Sequence, residues 1–150
     1  MRMKHNTHLG EFRKGQSLLE FAMLLPLFVL LIVGIFELGR AFFAYIAITN
    51  AAREGARVIT FWPDKVTITD VDTAVTDEIG SSPMVTEGNI NEILIECGSQ
   101  YDEVPTQILL TDCPSEEPVR VTVAYNFEFI LDIFFTQPLT LRRSAEMMIP

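Results

Sequence analysis

The stretch that decides the reading is Lys14-Gly15-Gln16-Ser17-Leu18-Leu19-Glu20-Phe21, the opening of an apolar block that continues to Phe36. Between Leu18 and Phe36 the one charged residue is Glu20. A run of this length and composition is about what a helix needs to cross a ~30 Å hydrocarbon core. A carboxylate at membrane depth costs roughly 2.5–3.5 kcal/mol even on lenient scales, so Glu20 needs a partner or an escape to the interface.

Outward from the block, the charges are unevenly placed. Arg2, Lys4, Arg13 and Lys14 precede it with Glu11 as the single acid, whereas from Val58 to Pro118 Lys65 is the one basic residue among many acids. A basic flank retained in the cytoplasm and an acidic remainder outside follow from the positive-inside rule. The expected location is therefore the cytoplasmic membrane, single-pass, with the N-terminus cytoplasmic and the C-terminal domain extracytoplasmic. The net charge of −9 argues against a nucleic-acid partner, which would require clustered Lys and Arg. Ordinary signal-peptidase cleavage needs small-x-small after the block, and Gly39-Arg40-Ala41 is a poor match.

Past Phe36 the pattern becomes amphipathic. Leu38, Phe42, Tyr45, Thr49, Ala52, Ala56 and Ile59 recur at 4-3 spacing, and Ala41, Ala44, Ile48, Ala51, Gly55 and Val58 widen that stripe. One helix from Gln16 to about Thr60 is expected, kinked near Pro26 and stopped by Trp62-Pro63-Asp64. A second helix is expected over Asp70–Ile79, capped by Asp70 and ended by Gly80.

Thereafter the period switches to two. Residues 90–97 and 106–112 read as strands, Val119–Phe129 alternates cleanly, and Leu139–Ile149 gives a final strand. The fold class is α+β: a long N-terminal membrane and stem helix on a small antiparallel sheet of three or four strands, with one short extra helix. Its parts are a basic leader (1–15), a transmembrane and assembly helix (16–37), an amphipathic stem (38–60) and an extracytoplasmic α+β domain (61–150). Cys97 and Cys113 both fall in that last part, where a disulfide can persist, and their spacing fits no zinc pattern. A hairpin of 90–97 and 106–112 would set the two cysteines apart, so the bridge requires a splayed or longer return.

Catalytic patterns are missing. The two histidines, His5 and His8, precede the apolar block, and there is no HExxH, glycine-rich phosphate loop or Cys-x-x-Cys. Asp70-Val71-Asp72 reads as cap and dipole partners at a helix start rather than a metal site. No catalytic residue, metal or cofactor is expected, and the chain does not read as an enzyme.

Gly15, then Glu20 five residues on, then Phe21, opening an apolar helix behind a basic leader, matches a prepilin signal. Together with Ala51-Ala52-Arg53-Glu54-Gly55-Ala56-Arg57 and the closing strands, the sequence resembles a TadE-like pseudopilin, a minor pilin of the tight-adherence (Tad) type IV pilus system. The resemblance is specific in the N-terminal third and a matter of layout beyond it. It implies a pilin-like fold and a membrane prepilin peptidase that cuts after Gly15, leaving Gln16 as the first mature residue. Gln16 in that position departs from the family's pattern. It further implies that Glu20, with Phe21, serves assembly by pairing with the new amine. The implied partners are the peptidase, other pilins and pseudopilins, and membrane lipid before assembly. A reading independent of the resemblance stays open, an uncleaved anchor carrying a ligand-binding domain, with Gly15 a loop residue and Glu20 reaching the cytoplasmic interface.

Overall fold

The computed structural model describes residues 11–62, 65–98, 116–130 and 137–150. Its elements in order are helix α1 (Glu11–Phe61), helix α2 (Ile68–Gly80), a 3-10 turn (Glu87–Asn89) and strands β1 (Ile90–Cys97), β2 (Pro118–Phe127) and β3 (Leu139–Met148). The chain divides into two compact units, Met1–Leu38 and Gly39–Pro150. This is the expected α+β arrangement, with one long apolar helix, one short helix and a three-stranded antiparallel sheet.

In the first unit α1 is helical without a break through Pro26. Proline costs the helix one hydrogen bond, a loss that the surrounding turns carry. From Leu18 to Phe36 the large apolar side chains stand exposed.

The second unit is organised by β2, the central strand in the order β1-β2-β3. Strict alternation sends Val119, Val121, Val123, Tyr125 and Phe127 to one face, all of them buried. Against that face pack Ala44, Ile48, Ala51, Ala52, Ala56 and Ile59 of α1 and Val71, Val75 and Ile79 of α2. The buried stripe of α1 is one side of the expected one. Ala44, Ile48, Ala51, Ala52, Ala56 and Ile59 are buried as expected and Ala47 joins them, but Leu38, Phe42 and Tyr45 are exposed. The cause is size. A helix lying close on a sheet turns its smallest side chains inward, so the large residues of the expected stripe fall outside the contact. Gly55 marks the closest approach: a Cβ there would stand 2.9 Å from Val75 Cγ2, 3.2 Å from Val121 Cγ1 and 3.3 Å from Val71 Cγ1.

The other face of the sheet is polar. Arg120 pairs with Glu146 at 3.3 Å on the neighbouring strand, and Arg142 reaches Glu92 at 3.1 Å across Ala124, which is small enough to pass beneath. Thr140 donates to Asn126 Oδ1 at 3.0 Å. Exposed pairs of this kind contribute about 0–1 kcal/mol each, so the apolar face dominates the stability of the sheet.

Three sequence expectations need correction. The cap of α2 is Thr67, not Asp70: Thr67 Oγ1 accepts from the Asp70 amide, and the Asp70 carboxylate accepts from the Thr67 amide at 2.9 Å and hydroxyl at 2.7 Å. These bonds hold the Asp70 carboxyl below its ordinary pKa, the backbone donor contributing most. The helix therefore starts at Ile68 and includes Gly80, with Ser81 as its C-cap in right-handed geometry. Lastly, β2 ends at Phe127, and Phe129 instead sets its ring edge-on to Phe127 at 5.3 Å. The expected strand over 106–112 lies outside the described residues.

Candidate processing and assembly site

Gly15 and Gln16 lie within α1, one turn into it, so the helix starts ahead of the expected Gln16 boundary. Nothing stands within 4 Å of a Cβ built on Gly15. The Gln16 side chain donates from Nε2 to Glu20 Oε1 at 3.4 Å, as the i,i+4 spacing on one helix face allows. The Glu20 carboxylate thus reaches back one turn, to the residue that follows Gly15. Phe21 is 58 % exposed beside it.

Along the rest of this unit, Met23, Leu24, Leu25, Leu27, Phe28, Val29, Leu30, Leu31, Ile32, Ile35 and Phe36 all stand exposed around the helix. A helix that is apolar all round is a buried one, in a protein core or in a bilayer. None of its most apolar stretch is buried, so its cover must come from outside the chain. Among the described residues this is the one helix long and apolar enough to cross a membrane, and it is compatible with a single-pass anchor.

In the second unit, Arg57 binds Glu54 one turn away, with Nε at 2.8 Å from Oε2 and an Nη contact to Oε1. The hydrogen bonds from Arg57 hold the Glu54 carboxyl below its ordinary range, and the carboxylate in turn raises the guanidinium. Two further arginines stack where the sequence gave no signal: Arg40 lies over Phe127 at 5.1 Å from the ring centroid, and Arg143 over Tyr45 at 4.5 Å. Both pairs join residues far apart in the chain, and only the register of the sheet on the helix brings them together. Cys97 sits at the end of β1 on the inward face, and Cys113 lies outside the described residues. Asp70 is committed to the α2 cap and Asp72 is exposed. No cluster of three or more metal-ligating side chains occurs among the described residues.

The family model for TadE-like protein matches residues 15–57, a segment that begins at Gly15 and ends on the Glu54–Arg57 pair. No curated protein and no solved structure matches the chain. The family is a structural, non-enzymatic kind of protein. From Gly15 to Arg57, less than a third of its length, the chain is similar to TadE-like protein, a family of pilin-like proteins of the Tad pilus.

Proposed function

We propose that the chain is a minor pseudopilin, made as a membrane-inserted precursor and cut after Gly15 by a prepilin peptidase. The mature protein then joins other pilins and pseudopilins in assembling a Tad-type adhesion pilus. The observation that carries this reading is an all-round apolar, uncovered segment, Leu18–Phe36, whose single carboxylate, Glu20, sits one turn from Gln16. Cleavage would create an ammonium at the Gln16 backbone nitrogen. Glu20, on the same or a neighbouring chain, would neutralise it, and pairing is how a charge becomes tolerable at membrane depth. The precursor spans the cytoplasmic membrane with its N-terminus inside and its sheet unit outside.

Gly15 suits a protease site for two physical reasons. It presents no side chain, and glycine weakens a helix by about 0.8–1.0 kcal/mol relative to alanine, so the turn that must open for cleavage is a weak one. Because the space around Gly15 is open, Gly15→Ala leaves the fold unstrained, and its effect falls on recognition and on the opening of this turn together.

Co-expression with a prepilin peptidase should yield an intact mass lacking residues 1–15, and Gly15→Ala should keep the full-length mass. A chain still starting at Met1 beside active peptidase would reject the pseudopilin reading in favour of an uncleaved anchored binding domain.

We also propose that Cys97 and Cys113 are bridged. The long return that the bridge requires is supported by the pairing of Cys97 with Val119 on β2: the sheet partner of β1 lies beyond Cys113 rather than before it. Four residues separate Cys113 from Pro118, which opens β2. Non-reducing mass should be two hydrogens below the reduced mass; two alkylatable thiols in the unreduced protein would end this claim.

A further inference from the structure

Strand β3 is an outer strand, and among the described residues its one sheet neighbour is β2. Which of its backbone groups face outward follows from one end. Ile149 turns both of its own toward the β2 side, the N–H donating to the Glu117 carbonyl at 3.0 Å and the carbonyl accepting from the Glu116 amide at 3.1 Å. Pro118, which has no N–H to give, stands opposite Met148. Antiparallel ladders alternate, so the odd-numbered residues of β3 bond to β2. Thr140, Arg142, Ser144, Glu146 and Met148 then aim N–H and C=O at the open edge. The apolar face is open on this side too. Leu141, Ala145 and Met147 are partly buried, whereas their partners Tyr125, Val121 and Val119 on β2 are buried. Such an edge is a template for another strand.

We propose that this edge pairs with β3 of a second copy, antiparallel, about a two-fold axis through Ser144. Parity and charge select both the partner and the register. Hydrogen bonds across the edge need even-numbered residues opposite even-numbered ones. Centring on Arg142, Arg143 or Glu146 meets that need but sets like charges opposite each other, and centring on Ala145 sets Arg142 opposite Met148. Centring on Ser144 sets Arg142 opposite Glu146 of the second copy, and Glu146 opposite its Arg142. One row across the joined sheets then reads Glu92, Ala124 and Arg142, followed by Glu146, Arg120 and Glu96 of the second copy, its charges alternating in sign. The pairs within each chain persist. Arg142 binds Glu92 through Nη2, and Glu146 accepts from Arg120 on Oε2, while both side chains are at least half exposed, 56 % and 50 %. A guanidinium has five donors and a carboxylate two oxygens, so each can take a second partner. On the inward face Leu141 meets Met147, and Arg143 meets Ala145, of the second copy. Arg143 is an inward-pointing charge of the kind that blunts edges against strands in general. Here it lies over Tyr45 and faces the smallest side chain of the strand, so this one register stays open. The interface lies wholly within the Gly39–Pro150 unit and holds whether or not the chain is cut after Gly15.

Two sets of variants of the full chain in detergent test the pairing. Opposite residues of a hydrogen-bonded antiparallel pair lie about 5.5 Å apart at Cα, within disulfide reach. Under mild oxidation most of the Ser144→Cys protein should therefore become a covalent dimer. Thr140→Cys, whose two copies would lie roughly 27 Å apart, should stay monomeric with the same native cysteines present. Arg142→Glu and Glu146→Arg should each weaken self-association, read by sedimentation, about tenfold or more, since each sets two pairs of like charges opposite. Mixed under two different tags, these two variants should associate as the wild type does, because every pair in the mixed dimer is opposite in sign. Mixing would not repair a folding defect. Equal crosslinking at 144 and 140, or none at 144, would overturn the register. Wild-type association of both single variants, or failure of the mixture to associate, would overturn the pairing of Arg142 with Glu146. Association through the apolar segment alone would survive both charge variants and leave Ser144→Cys uncrosslinked, which would overturn the proposal as a whole.

Discussion

Gly55→Leu is expected to prevent the sheet unit from folding, and Gly55→Ala to destabilise it by up to about 2 kcal/mol. A Cβ at this position meets three valine methyl groups, from α2 and β2, at 2.9–3.3 Å. Val71, Val75 and Val121 are fully buried, so none can swing into solvent to make room. Overpacking of this kind costs about 1–3 kcal/mol. Against it stands the helix propensity that alanine gains over glycine, about 0.8–1.0 kcal/mol. The clash wins for alanine by a small margin, and for leucine, three carbons larger, by a decisive one. Thermal unfolding of the full chain in detergent should show the alanine variant lower by about 4–8 °C per kcal/mol for a unit of this size. Gly39→Ala is the matched control, because nothing stands within 4 Å of a Cβ there. Equal melting temperatures for the two alanine variants would show that close approach at Gly55 does not limit packing.

Glu20→Ala is expected to leave cleavage after Gly15 intact and to reduce incorporation into assembled pili by roughly a hundredfold. The estimate takes the unpaired ammonium left at Gln16 as the cost, about 2.5–3.5 kcal/mol at membrane depth. Glu20→Gln should behave nearly as badly. The amide keeps the shape and the reach that bring Glu20 Oε1 to 3.4 Å from Gln16, but not the charge. Mass spectrometry of the mature chain reports cleavage, and immunoblots of sheared pili report incorporation. Normal assembly of both variants would remove the role assigned to Glu20.

The parts of the fold that were legible from sequence are those in which local pattern and final packing agree. Val119 to Phe127 alternate because one face of β2 is wholly covered, and that coverage is what a period of two encodes. β1 was readable to the residue at Ile90–Cys97. Its partner was not, since a pairing that skips some twenty intervening residues leaves no local trace. The stem was readable as a helix, with Ala44, Ile48, Ala51, Ala52, Ala56 and Ile59 on its buried side. Phe42 and Tyr45 were placed there too, yet the sheet selects the small residues, Ala47 among them, because close approach decides the contact. The Thr67 cap was available in the spacing Thr67-Ile68-Thr69-Asp70, a hydroxyl followed three residues later by a carboxylate. At the candidate site, the sequence named Gly15, Gln16, Glu20 and Phe21 without geometry. The structure adds the reach of Glu20 to Gln16 and the openness around Gly15. The stacking of Arg40 and Arg143 was beyond sequence, since each depends on an aromatic partner more than eighty residues away.

The uniform exposure of leucine, isoleucine and phenylalanine around α1 from Leu18 to Phe36 has a consequence for how such helices would find their axial offset. An apolar rod with no preferred side can rotate and slide against identical rods at little cost, since every offset buries similar surface. A bundle of such rods would have cohesion but no address. One polar group in an otherwise uniform seam is known to fix alignment in coiled coils, at some expense in stability. Glu20 is the single such mark on this rod, set near one end, where a paired charge on the next chain can meet it at one offset only. The residue that weakens the anchor would then be the one that tells each subunit how far to advance.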